Sequence, residues 1–125
     1  MGYDLHVVRT RDWLESANDP VTKQHVDSLI KSDPELRWSL SDFVDMRNES
    51  SGTTRYFMIL WNDSPCFWWY RDQITCSNPD DYQRSKLAQI ASALGAFAVG
   101  DDGERYELRK GFLGKHKLIV VAPDA

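Results

Sequence analysis

The sequence predicts an α+β domain: a mainly antiparallel sheet of five or six strands with two helices packed on it. Three observations carry that expectation. Apolar residues alternate with a period of two through residues 3–10 and 54–61, as they do in strands. Residues 22–32 and 78–95 instead space their apolar side chains as helices do, between good capping residues. The strand-like stretches follow one another through short turns, which favours antiparallel pairing. A length of 125 residues, 42% hydrophobic and 27% charged, fits one folded domain over residues 1–125.

Taken in order, Tyr3, Leu5 and Val7 alternate with Asp4, His6 and Val8 to make a first strand. Residues 11–20 read as a polar connection anchored by a buried Trp13 and Leu14. Thr22 is placed to cap the first helix, with Val21 and Val26 set for a hydrophobic staple. Val26, Leu29 and Ile30 form its apolar face, and Pro34 ends it, since the residue before proline avoids the helical region. Residues 35–40 read as a connector carrying Trp38, residues 39–47 as a weakly alternating strand, and residues 48–52 as a turn.

The organising stretch is residues 54–76, which holds three of the five tryptophans. Phe57, Ile59 and Trp61 alternate with Tyr56, Met58 and Leu60, and both sets are apolar, so both faces need a cover. In the second run Phe67 and Trp69 point one way and Trp68 and Tyr70 the other. Asn62, Asp63, Ser64 and Pro65 between them have turn chemistry, and Pro65 is expected outside any central ladder. If Cys66 and Cys76 flank one strand, about ten residues at roughly 3.3 Å each hold them beyond disulfide reach, as two reduced thiols. Asn78 is the expected cap of the second helix, with Pro79 first inside it and Asp80 and Asp81 meeting its dipole. Leu87, Ile90, Ala91 and Leu94 form the buried stripe, and Gly95 the C-terminal cap. A hairpin follows over 97–108, turning at Gly100-Asp101-Asp102-Gly103, where a left-handed Gly103 would make a β-branched substitution costly, and residues 118–121 suit one more strand.

A net charge of −4 disfavours nucleic acid and suits a basic partner. No apolar run is long enough to span a bilayer, and the opening MGYDLHVVRTRDW is too polar for a signal peptide, so a cytoplasmic location is expected. His6, His25, His116 and the two cysteines show no HxxxH, HxH or CxxC spacing, so neither a metal site nor a cofactor is expected. No G-x-S-x-G is present, and two carboxylates in the Gly100–Gly103 turn would repel a phosphate, so no catalytic residue is assigned. The basic residues of the tail, Arg105, Arg109, Lys110, Lys115 and Lys117, are diluted by Glu104 and Glu107 and read as a solvated hairpin end. Tryptophan and tyrosine are typical interface anchors, so the expected partner-binding face is Asp42, Asp45, Trp68, Tyr70 and Asp72.

Two stretches carry a resemblance. One is MGYDLHVVR, with Trp13 shortly after and Asp33-Pro34-Glu35-Leu36 closing the first helix. The other is Ala91-Ser92-Ala93-Leu94-Gly95-Ala96 followed by Val99-Gly100-Asp101-Asp102-Gly103-Glu104-Arg105-Tyr106. Together they resemble a group of small, uncharacterised bacterial cytosolic proteins, some of which look like immunity proteins that accompany secreted polymorphic toxins. The likeness covers the two ends and most of the element order, not residues 37–77. The chain departs from it at His25, where a Glu would complete a capping box with Thr22. The resemblance implies a non-enzymatic protein that sequesters a cognate toxin protein, with acidic and aromatic side chains facing a basic toxin surface. The residues themselves leave two alternatives open: a small enzyme with a cleft between sheet and tail, and a structural homodimer joined through the open sheet face or an edge strand.

Overall fold

A computed structural model of the chain describes residues 3–48, 52–110 and 116–122, without the side chains of 40–48, 53, 54, 110 and 116. Eight strands form one antiparallel sheet: β1 (Asp4–Val8), β2 (Leu36–Asn48), β3 (Gly52–Trp61), β4 (Ser64–Tyr70), β5 (Gln73–Ser77), β6 (Phe97–Gly100), β7 (Arg105–Lys110) and β8 (His116–Val121). Their order across the sheet is β2-β3-β4-β5-β1-β6-β7-β8. Helices α1 (Lys23–Ser32) and α2 (Asp81–Leu94) accompany a short 3-10 helix, Trp13–Asn18. The α+β class holds, but five or six strands is too few. Part of the shortfall is the stretch 64–77, which folds back on itself at Arg71 and Asp72, with Arg71 at φ 51° and neither glycine nor proline to mark the turn. The expected connector 35–40 is also sheet: Leu36, Arg37 and Trp38 pair with Trp61, Leu60 and Ile59.

The β3–β4 turn is tighter than its four-residue signal. Asn62 (φ 50°) and Asp63 (φ 66°) both adopt the left-handed region, the geometry of a two-residue hairpin loop. Strand β4 therefore starts at Ser64, and Pro65 lies within it, opposite Leu60. The proline is accommodated because β5 pairs only with Trp68, Trp69 and Tyr70, so β4 has a single neighbour at Pro65. Of the expected turn at 48–52, Asn48 and Gly52 are paired strand residues, and 49–51 lie outside the described residues.

The register builds the core as rows. Phe57, Trp69, Ile74, Val7, Ala98 and Tyr106 stand side by side from β3 to β7, all on one face. Above them pack Val26 and Leu29 of α1 and Leu87, Ile90 and Ala91 of α2. Val21 and Val26 are both fully buried, as a staple requires, whereas Leu14 is 71% exposed and anchors nothing. Trp69 is the helix-facing member of the tryptophan pair, and its indole N–H donates to the Val21 carbonyl at 2.8 Å.

Both helix starts differ from expectation in an instructive way. At α1 the Thr22 hydroxyl accepts from the His25 N–H at 3.2 Å, and His25 Nδ1 accepts from the Thr22 N–H at 3.0 Å. The capping box is complete, because an imidazole nitrogen is an acceptor just as a Glu oxygen is. At α2 the cap is Asp80, not Asn78: Asp80 and Gln83 exchange bonds at 2.8 and 2.9 Å. Asn78 has φ 49° and closes on Tyr3 instead, accepting from its N–H and donating to its carbonyl. Gly95 ends α2 at φ 64°, and Gly103 sits at φ 87° in the β6–β7 turn, both as expected.

The two cysteines do not flank one strand. Because β4 and β5 fold back, Cys66 and Cys76 lie on neighbouring strands, near enough for each thiol to shift the other. Lys86 of α2, only 4% exposed, reaches Asp33 at 2.8 Å and Glu35 at 2.6 Å and ties α2 to the start of β2. Among the described residues no helix is long and apolar enough to cross a membrane.

Candidate functional site

The sheet face turned away from α1 and α2 carries every second residue of the same strands. Its central row runs Met58, Trp68, Thr75, His6, Val99 and Arg105. The face divides into a polar zone and an aromatic one.

The polar zone is closed by the 3-10 helix. Trp13 lies flat on His6, with ring centroids 4.1 Å apart and planes 5° off parallel, and its indole N–H donates to the Asp101 carbonyl at 3.3 Å. His6 bridges Asp101 Oδ1 (2.8 Å, through Nε2) and Gln73 Oε1 (2.7 Å, through Nδ1). Gln73 Nε2 donates to Ser16 Oγ at 3.3 Å, and the Ser16 hydroxyl donates to Asp72 Oδ1 at 2.8 Å. Hydrogen counting orients the chain. Ser16 has one hydrogen and spends it on Asp72, so it accepts from Gln73, whose oxygen then faces His6 Nδ1. Burial pushes the Asp101 carboxyl up, but the Asp4 N–H at 2.9 Å and His6 outweigh it and hold Asp101 below the usual carboxylate range. Each of these groups is engaged by another, so the network works as a clamp that fixes residues 13–18 to the sheet.

The aromatic zone lies toward β3 and β4. Trp68, Tyr56 and Tyr70 are each half-buried on this face, and the two tyrosine rings stack at 4.0 Å and 14°. The Tyr70 phenol is pushed up to about 12, first by burial and then by the Tyr56 phenol and the Asp72 and Asp4 carboxylates. The Asp72 and Asp4 carboxylates thus lie near these rings, which stand on paired strands.

Of the expected partner-binding residues, the fold brings Trp68, Tyr70 and Asp72 together at the end of β4. Asp72 is not free, however: besides Ser16, it holds the Val21 N–H on its carbonyl at 2.9 Å, and so fixes the path from the 3-10 helix to α1. Asp42 and Asp45 belong to β2, the edge strand beyond β3, where Asp45 is paired with Arg55; their side chains lie outside the described residues. Tyr56 and Asp4 were missing from the expected set. Tyr56 was legible, since it shares a strand face with Met58; its meeting with Tyr70 needed the β3–β4 register.

The fold and this face define a single-sheet α+β protein, with one face under helices and the other divided between a polar clamp and an aromatic ledge. No protein-family model matches the chain, and no curated protein or solved structure matches it.

Proposed function

We propose that the chain is a non-enzymatic protein-binding module of the immunity type, acting in the cytoplasm, which neutralises a cognate toxin domain by covering it with the ledge of Tyr56, Trp68 and Tyr70. The observation that supports this reading is the ledge itself: half-exposed amphipathic rings stacked on paired strands, with Asp4 and Asp72 near Tyr70. Rings of this kind anchor interfaces at low entropic cost, and the acidic surroundings suit a basic partner such as a nuclease surface. Asp42 and Asp45 belong to the proposed rim, and Asp72 acts as its support. The test is co-expression with the product of the neighbouring gene. Restored growth and a complex whose association rate falls steeply with added salt are expected. Unrelieved toxicity, with no complex by calorimetry, would refute the reading.

A second reading, a structural homodimer, is favoured by β8. Its outer edge carries the sheet's last row of backbone groups, Val120 is 58% exposed, and residues 118–121 include no charge to deter pairing. Sedimentation equilibrium over a hundredfold concentration range distinguishes the two. A monomer throughout eliminates the dimer.

A further inference from the structure

The sequence keeps Cys66 and Cys76 ten positions apart, yet the fold undoes that separation. Trp68 pairs with Thr75 and Trp69 with Ile74; continuing that register one step beyond the paired residues would set Phe67 across from Cys76, with Cys66 one place along. Simple alternation would send Cys66 to the opposite face. The β3–β4 register prevents this: Ile59 pairs with Phe67 and Leu60 with Pro65, which leaves Cys66 as an extra, bulged residue. It accordingly packs against the helix-covered core that contains Cys76. Residues directly opposite on antiparallel strands are about 4.5–5.5 Å apart and the next diagonal about 7–8 Å. A position between these is close to the Cα separation of about 4.4–6.8 Å that a disulfide requires.

The two sulfurs are also unequal. Cys66 is partly exposed, and Gln83 Nε2 donates to its Sγ at 3.4 Å; Cys76 is 2% exposed. The neighbouring Cys76 thiol, helped by Gln83 and opposed by burial, holds the Cys66 thiol below its ordinary value. The nearby Cys66 thiol, together with burial, pushes Cys76 up.

We infer that Cys66 and Cys76 form a reversible dithiol–disulfide site, in which Cys66 attacks a small-molecule disulfide such as glutathione disulfide and Cys76 resolves the adduct. In the first step the Cys66 thiolate attacks one sulfur of the oxidant. That S–S bond breaks, a mixed disulfide forms on Cys66, and one thiolate leaves and is protonated. Cys66 no longer holds Cys76 protonated in the adduct. Cys76 then loses its proton and attacks Cys66 Sγ, expelling the second small thiol. The protein loses two thiols to one disulfide, and the oxidant is reduced to two thiols. The new bond staples β4 to β5 beneath the first turn of α2, where Gln83 also completes the helix cap.

The test uses the full chain, incubated natively with excess glutathione disulfide, then alkylated and weighed intact. The expected product has lost two hydrogens, resists alkylation, carries no glutathione and yields a peptide cross-linked from Cys66 to Cys76. Dithiothreitol should return both thiols. Early time points should show the transient adduct on Cys66, and in Cys76→Ser that adduct should persist. Two alkylatable thiols after prolonged incubation of the wild type, a stable single adduct on it, or a disulfide between two chains would each overturn the inference, whether or not the variant folds.

Discussion

Trp68 and Trp69 are neighbours with opposite fates. Alternation separates them, but both strand faces are apolar, so the sequence alone does not say which enters the core. The decision is made by a contact from far along the chain, the Trp69 indole bonded to the Val21 carbonyl. Trp69→Ala should therefore cost on the order of 3–5 kcal/mol, read as a large fall in the urea midpoint. His6 was legible only as a polar residue on an apolar strand; its meaning lies in Asp101 and Gln73, some 95 and 67 positions away. That pairing carries a pH signature. The Asp101 carboxyl is held below its ordinary value in the folded state. Its contribution is complete above the unfolded value of about 3.9 and fades as pH falls toward the lower folded value. Stability measured between pH 6 and pH 3 should drop less steeply in Asp101→Asn than in the wild type; identical slopes would show that Asp101 is not a contributor.

Among the elements, α2 teaches most about caps. Asn78-Pro79-Asp80-Asp81 offers several possible starts, and Asn-Pro is the more conspicuous. The deciding signal is Gln83, three residues after Asp80, which completes a reciprocal box there and not at Asn78. Asp80→Ala should cost roughly 1 kcal/mol and speed amide exchange at Gln83. Asn78→Ala should leave that amide protected and loosen the contact with Tyr3 instead. In the β6–β7 turn the Gly103 N–H donates to the Gly100 carbonyl at 2.9 Å, and Gly103 itself is left-handed. A β-branched side chain resists that conformation, so Gly103→Val should lose more than about 1 kcal/mol; a wild-type melting midpoint would contradict the turn geometry. The β4–β5 turn escaped reading for the opposite reason. Arg71 takes a positive φ without the glycine or asparagine that announces one.

On the scale of the molecule, the sheet order is the least legible feature. Strand β1 comes first in the chain but lies near the middle of the sheet, between β5 and β6. Periodicity reports which residues share a face, not which strands are neighbours, so neither the polar clamp nor the cysteine pair could be read from spacing. The aromatic ledge was half legible: Trp68 and Tyr70 by alternation, their company with Tyr56 only by register. The proposed function depends on that ledge staying open while the opposite face holds the fold together. The most direct measurement is therefore calorimetry of Trp68→Ala against the product of the neighbouring gene, paired with its thermal melt. The account predicts a folded variant with affinity lowered by at least about 2 kcal/mol, roughly thirty-fold. A variant that folds and binds as tightly as the wild type would contradict it.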